Sequence, residues 1–306
     1  APLLSKRGVH QVGVRTLLLH NSNQLDILSS TKDNDVFYDR PLKVEIWYPA
    51  LLNMDEQEKE VYDEVRGNYN APKRALISFQ FKGRAKRDAK IKHSETPYPL
   101  VITSHGYTGS RLMFSYLTEQ LASQGYIVVS IDHTDSTFRD AGPFVSKLLN
   151  RSLDDLFVLD AMDKLSKDSE AFLFNLLDAN NTGIIGYSMG GYGALNVAGA
   201  GYSPQAVQLF KEFTRGRLDL EQRMIGNPSF EATFDSRIKA IVAMAPWGME
   251  NGVWDEEGLL GLKIPTFFVA GSMDDISGYD DGIKAIYEEA LNAERYLLTY
   301  INARHN

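Results

Sequence analysis

The stretch Thr182-Gly-Ile-Ile-Gly-Tyr-Ser-Met-Gly-Gly-Tyr-Gly-Ala194 decides how this chain is read. A short apolar run with the character of a buried strand leads into Gly186-Tyr187-Ser188-Met189-Gly190, and small residues able to begin a helix follow. On so sharp a strand-to-helix turn a serine hydroxyl is pushed clear of the sheet edge, and the flanking glycines are needed because side chains there would clash. The pattern alone carries little weight, since a chain of 306 residues with 24 Gly contains it by chance in about one case in ten. The order of elements around it must decide.

Working outward, residues 99 onward alternate strands with helical stretches, the signature of a parallel sheet with crossover helices. The spacing predicts strands at 100–104, 126–131, 182–187, 238–245, 266–270 and 296–301. Helices are expected at 110–123, with Met113, Tyr116, Leu117 and Leu121 on one face and Gly125 as the stop, then at 153–165, 191–200 and 282–291. Upstream, 12–20 and 41–48 read as two antiparallel opening strands. Residues 51–97 turn charged and read as a solvated insertion with some helix in preference to a binding arm. Residues 203–236 interrupt the alternation as a partial lid or a surface decoration. The whole, 1–306, reads as a single domain.

A net charge of −8 and no cysteine argue against a nucleic-acid partner, which needs clustered Lys and Arg, and exclude disulfides, thiolate metal sites and a Cys nucleophile. No apolar run is long enough for a membrane span. The Ala1-Pro2 start suits signal-peptidase cleavage as well as plain trimming, so a secreted or periplasmic location is expected, otherwise a cytoplasmic one. Nothing in the sequence sets the oligomeric state.

A serine hydroxyl is a poor nucleophile at neutral pH and needs a base, which in turn needs an orienting group. Six histidines are present, His10, His20, His93, His105, His133 and His305. After a serine on such a turn the partners follow in the order acid, then histidine, with the histidine beyond the last strand; only His305 qualifies. The acid belongs after the strand at 266–270, where Asp274 is the choice and Asp275 the alternative. Asp280 and Asp281 read as charges at the start of the next helix. Oxyanion donors are expected from the Met189 and Tyr107 backbone N–H groups. His105 reads as a loop-fixing hydrogen-bonder and His133 as structural, and no metal or cofactor is expected.

With Ser104-His-Gly-Tyr107, the run Leu121 to Asp135 and Gly186 to Gly190 assembled, the chain resembles the α/β-hydrolase group of plasma-type platelet-activating-factor acetylhydrolases and dienelactone-hydrolase-like esterases over residues 95–305. The resemblance implies a central, mostly parallel eight-stranded sheet with helices on both faces, and a further helix beyond the histidine. It also implies, for the acetylhydrolases, an acid just after the strand at 238–245, where this chain has Ala245-Pro246-Trp247. The chain is also similar to bacterial cutinases and polyester hydrolases, which implies that Tyr107 and Trp247 flank the substrate; the tryptophan usual before their nucleophile is Tyr187 here. The implied function is a serine carboxylic-ester hydrolase, with small to medium soluble esters favoured over phospholipid (acetylhydrolase-like) or polyester substrates. The competing readings are a non-catalytic binding protein of this fold and a peptidase.

Overall fold

The computed structural model describes residues 5–67 and 75–306. The Ala1-Pro2 start and the middle of the 51–97 insertion therefore lie outside the described residues. Opening strands β1 (Gln11–Leu25) and β2 (Phe37–Leu51) pair antiparallel. The insertion supplies β3 (Val61–Arg66) and β4 (Ile77–Lys82), which form their own antiparallel pair, and the two-residue strands β5 (Lys86–Arg87) and β6 (Lys90–Ile91). Then follow β7 (Tyr98–Ser104), α1 (Ser115–Ser123), β8 (Ile127–Asp132), α2 (Phe144–Lys167), β9 (Leu177–Tyr187) and α3 (Met189–Val197). The remainder is α4 (Pro204–Phe213), α5 (Pro228–Glu231), β10 (Ile238–Met244), α6 (Glu256–Leu259), β11 (Thr266–Gly271), α7 (Ala285–Glu289) and β12 (Arg295–Tyr300).

The central sheet runs β12-β11-β10-β9-β7-β8-β2-β1-β5, with β6 pairing β2. From β12 to β8 every pairing is parallel, and β8, β2 and β1 are joined antiparallel. The eight long strands match expectation, and β5 and β6 enlarge the sheet to ten. Central strands β7 and β8 and the 182–187 half of β9 are largely apolar and carry no exposed residue, as strands covered on both faces must. One large core joins them to α2, α3 and α7; a smaller one, with Val12, Val14, Trp47 and Ala122, sits under α1. All the parallel strands point their C-terminal ends the same way, so the loops after β7, β9, β10 and β11 gather at one edge. That edge is where ligands bind in open α/β sheets.

Several expectations need correction. The insertion is not helical among its described residues: Ile77-Ser-Phe-Gln-Phe81 alternates with a strand period, and Val61-Tyr-Asp-Glu-Val65 buries Tyr62 and Glu64 while exposing Val61 and Asp63, a period that its composition obscured. Nor is it wholly solvated, because Tyr62 is buried, accepts from Trp47 Nε1 at 2.8 Å and donates to Glu119 at 2.8 Å. The helix after β7 begins at Ser115 after a turn, and this shifts the buried face to Leu112, Phe114, Thr118 and Ala122, leaving Met113 and Tyr116 exposed. The stretch at 153–165 is the end of the longer α2, which starts after Pro143, a residue whose fixed φ suits a helix start. The stretch at 282–291 opens with a π-helical turn, Tyr279–Lys284, and only then becomes α7.

Candidate active site

The β9 strand delivers Ser188 to the sheet edge, and α3 begins at the next residue. Ser188 is held at φ 53° and ψ −115°, a strained backbone that persists only where the surroundings over-determine it. They do: its N–H donates to the Met244 carbonyl at 2.8 Å, while its own carbonyl accepts from Tyr192 and Trp247 N–H at 3.0 and 3.2 Å. Gly190 is forced by contact, since a Cβ there would lie 2.0 Å from the Ser104 carbonyl oxygen.

The histidine after β12 reaches this serine. His305 Nε2 lies 2.9 Å from Ser188 Oγ, and its Nδ1 lies 3.0 and 2.9 Å from the two carboxylate oxygens of Asp274. All three residues are buried. Burial alone would raise the Asp274 pKa, but hydrogen bonds from His305 and from the Ser277 and Ile276 N–H groups, at 2.8 and 3.0 Å, hold it below the usual carboxylate value. Asp274 thus stays ionised against the imidazole. Of the two neighbouring aspartates only Asp274 turns inward; Asp275 is exposed and pairs with Arg304 at 3.3 Å. The first carboxylate along the chain after β10 is Glu250, whose side chain accepts from Gly248 N–H and from Asn251.

Met189 stands at the first position of α3, where a backbone N–H has no intrahelical acceptor and the helix dipole favours negative charge. The loop after β7 comes up against the serine: a Cβ on Gly106 would sit 3.3 Å from Ser188 Cβ. His105 fixes this loop, with Nδ1 bonded to the Gly106 carbonyl at 2.6 Å and Nε2 accepting from His133 N–H at 3.3 Å. Arg151, buried on α2, donates to the His105 carbonyl and to Ser136 Oγ.

Beneath the loop lies a second serine-histidine-aspartate chain. Ser104 Oγ is 2.8 Å from His133 Nε2, and His133 Nδ1 is 3.0 Å from Asp154 Oδ2. Its spacing matches the first, but its setting does not. Ser104 and His133 are sealed from solvent, and Asp154 is already gripped by Arg40 at 2.7 and 3.0 Å. Burial, then the nearby Arg151 charge, lowers the His133 pKa to about 3, so this imidazole is neutral. Sequence reasoning placed His133 as structural and missed Arg40, Arg151 and Asp154. The available signal was Arg151, Asp154, Val158 and Met162 at helical spacing on one face, charges continuing an apolar stripe.

Tyr107 is half-exposed beside the serine, with the Lys147 ammonium 4.1 Å from its ring centroid. Trp247 packs edge-on against Phe144 with centroids 4.9 Å apart. Residues 203–236 do not stand off as a free flap. Arg217 ties them to the β1–β2 connection through Asp35 at 2.7 Å and the Thr31 carbonyl at 2.6 Å.

Two family models match the chain: "Platelet-activating factor acetylhydrolase, isoform II" over residues 8–148 and "PET hydrolase-like" over residues 91–210. The ferulic acid esterase from Streptomyces cinnamoneus superposes with a TM-score of 0.55 at 20% identity, covering 94% of this chain and 73% of that one. The chain has the α/β-hydrolase fold. The family models overlap on the loop after β7, α1 and β8 of this α/β-hydrolase fold, and the first extends the likeness upstream of residue 95 into β1 and β2. Among curated proteins, Cutinase est1 of Thermobifida alba is 24% identical over 209 residues, 68% of this chain and 53% of that protein. Cutinase est2 of the same organism is 33% identical over 101 residues, 33% of this chain and 30% of that protein. The chain thus spans about half, or less, of the length of these relatives.

Proposed function

We propose that this α/β-hydrolase is a serine carboxylic-ester hydrolase. The observation that carries the reading is the unbroken line of hydrogen bonds from Ser188 Oγ through His305 to Asp274 at 2.9 to 3.0 Å. His305 Nε2 takes the hydroxyl proton as Ser188 Oγ attacks the ester carbonyl carbon, and Asp274 stabilises the imidazolium formed. Charge on the tetrahedral oxygen is met by the Tyr107 and Met189 N–H groups; losing one such donor typically costs about 10²- to 10³-fold in rate. His305 then protonates the leaving alkoxide. Water, activated by the same imidazole, releases the acyl group and restores the serine.

The substrate class that fits is small to medium esters. A polyester reading is favoured by one further observation: exposed Tyr107, Met273 and Ile276 border the site on the loops after β7 and β11. A polymer film beside soluble p-nitrophenyl esters separates the two. The test of the chemistry is Ser188→Ala, expected to lower ester turnover by several orders of magnitude, up to about 10⁶-fold. Most of the activity surviving would sink this mechanism, whereas no ester turnover and no fluorophosphonate labelling of Ser188 in the folded wild type would favour a non-catalytic binding protein instead.

A further inference from the structure

The triad chemistry leaves one feature unused, an apolar chamber of about 280 Å³. Its walls include Phe144 and Leu148 of α2, Ala206 and Leu209 of α4, Trp247 and Val253. The link to the nucleophile is short, because the Trp247 N–H donates to the Ser188 carbonyl. The buried polar group of the wall is already satisfied, the Tyr202 hydroxyl bonding to the Leu148 carbonyl at 2.9 Å and to Tyr192, while Asn251, whose amide donates to Glu250, is exposed to solvent. A polar occupant would lose its hydration without finding partners there, whereas a hydrocarbon loses nothing.

The chamber and the base reach Ser188 through different neighbours. His305 leans on Tyr187, which meets Phe114 ahead of α1, while Trp247 leans on Tyr192 of α3 and Phe144 of α2. Since His305 must protonate the leaving alcohol, the alcohol lies on the histidine side and the acyl group on the other. Size follows from comparison: a dry cavity of about 150 Å³ holds benzene, and this one is nearly twice that volume.

We propose that this chamber receives the acyl chain of the substrate, and that the chain is an unbranched or aryl group of about six to ten carbons. This rests on the ester-hydrolase reading above. Segment 203–236 is then the fixed wall of a specificity pocket: the Ser203 hydroxyl caps α4 by accepting from Ala206 N–H at 3.0 Å, and Arg217, just beyond α4, anchors the middle of the segment to the β1–β2 connection. A wall built in advance takes up an acyl chain without an ordering cost at binding.

The experiment measures kcat/KM on p-nitrophenyl acetate, butyrate, octanoate and decanoate, and on acetate esters of alcohols of matching lengths. The wild type is expected to prefer octanoate or decanoate over acetate and to respond weakly to alcohol length. Ala206→Phe, which fills the chamber from α4, is expected to cut octanoate turnover by about tenfold or more while acetate stays within about twofold. Leu209→Ala, which enlarges it, shifts the preference towards longer chains and guards against Ala206→Phe simply misfolding. Unchanged chain-length preference in both variants, or control by alcohol length, overturns the proposal while leaving the hydrolase reading intact. Absence of turnover on every ester, with Ser188 unlabelled by fluorophosphonate, removes the hydrolase reading and this proposal with it.

Discussion

The Tyr187 hydroxyl donates to the backbone carbonyl of His305 across 2.8 Å, and the two rings stack at 5.3 Å with 32° between their planes. The residue immediately before Ser188 thus holds the histidine that bonds to it. Burial, with the Asp274 charge adding to it, pushes the Tyr187 pKa up to about 12, so the hydroxyl remains a donor throughout the neutral range. Tyr187→Phe keeps the ring and removes one hydrogen bond. A bond of about 1 kcal/mol corresponds to about a fivefold fall in kcat with KM nearly constant. Unchanged kcat would mean that the histidine loop is held by its other contacts, Met273 N–H to Ala303 at 2.9 Å and Asn302 N–H to Ser272 at 2.8 Å, without help from Tyr187.

Asp274 and Asp275 separate cleanly by substitution. Asp274→Asn should lower kcat by about 10⁴-fold, because an amide in place of the carboxylate favours the wrong imidazole tautomer. Asp275→Asn removes only an exposed ion pair with Arg304, the kind worth about 0 to 1 kcal/mol. A large loss in Asp275→Asn with Asp274→Asn close to wild type would argue that Asp275, not Asp274, serves the histidine in solution.

Gly271 ends β11 directly beneath the histidine loop, and a Cβ there would come within 2.5 Å of the Ala303 carbonyl oxygen. Gly271→Ala must therefore displace the segment that carries His305. Activity is expected to fall by about tenfold or more, since a 1 Å misplacement can cost about 10²-fold. Turnover close to wild type at an unaltered melting temperature would show that the loop yields without moving the imidazole.

The two serine-histidine-aspartate chains predict opposite responses to a fluorophosphonate. Ser188→Ala abolishes labelling, and Ser104→Ala leaves it intact, because Ser104 is wholly buried. Ser104→Ala instead strips His133 of its Nε2 partner, an unsatisfied buried group that costs about 1–3 kcal/mol of stability. Peptide mapping of the labelled protein together with denaturant unfolding reads both effects. A label on Ser104 would contradict the assignment.

The same buried chain makes stability acid-sensitive. His133 is neutral when folded down to about pH 3 but protonates near its ordinary value of 6.5 when unfolded, so the unfolded state binds more protons between those limits. Stability is then fully present above pH 6.5 and falls as pH drops towards 3. His105, also lowered by burial, acts in the same direction, as does Asp154, held below its ordinary value against burial by Arg40. Asp155 opposes them, since burial raises its carboxyl and favours the protonated folded form. Melting temperature should therefore decline steadily from pH 6.5 downward, and a flat profile to pH 4 would refute the argument.

The order of strands and helices around Ser188 was legible in the sequence because burial and backbone geometry repeat locally, with periods of two and 3.6 residues. The glycines of the elbow were legible for the same reason, and His305 followed from chain order alone. What lay out of reach depends on groups distant in sequence. Asp274 meets a histidine 31 residues on, and that histidine meets a serine 117 residues back. Choosing between adjacent aspartates required the turn after β11, where Asp274 N–H donates to the Gly271 carbonyl and swings one carboxylate inward and its neighbour out. The ion pairs of Arg40 and the Arg151 contacts under the loop after β7 were hidden because a charge on a predicted helix or strand reads as a solvated face until tertiary contacts supply its partner. The sequence by itself determined that a serine stands on a strand-to-helix turn with one histidine able to follow it. Only the tertiary structure decided which carboxylate completes the line and which segment walls the acyl chamber, because hydrogen bonds and packing join residues that no local period relates.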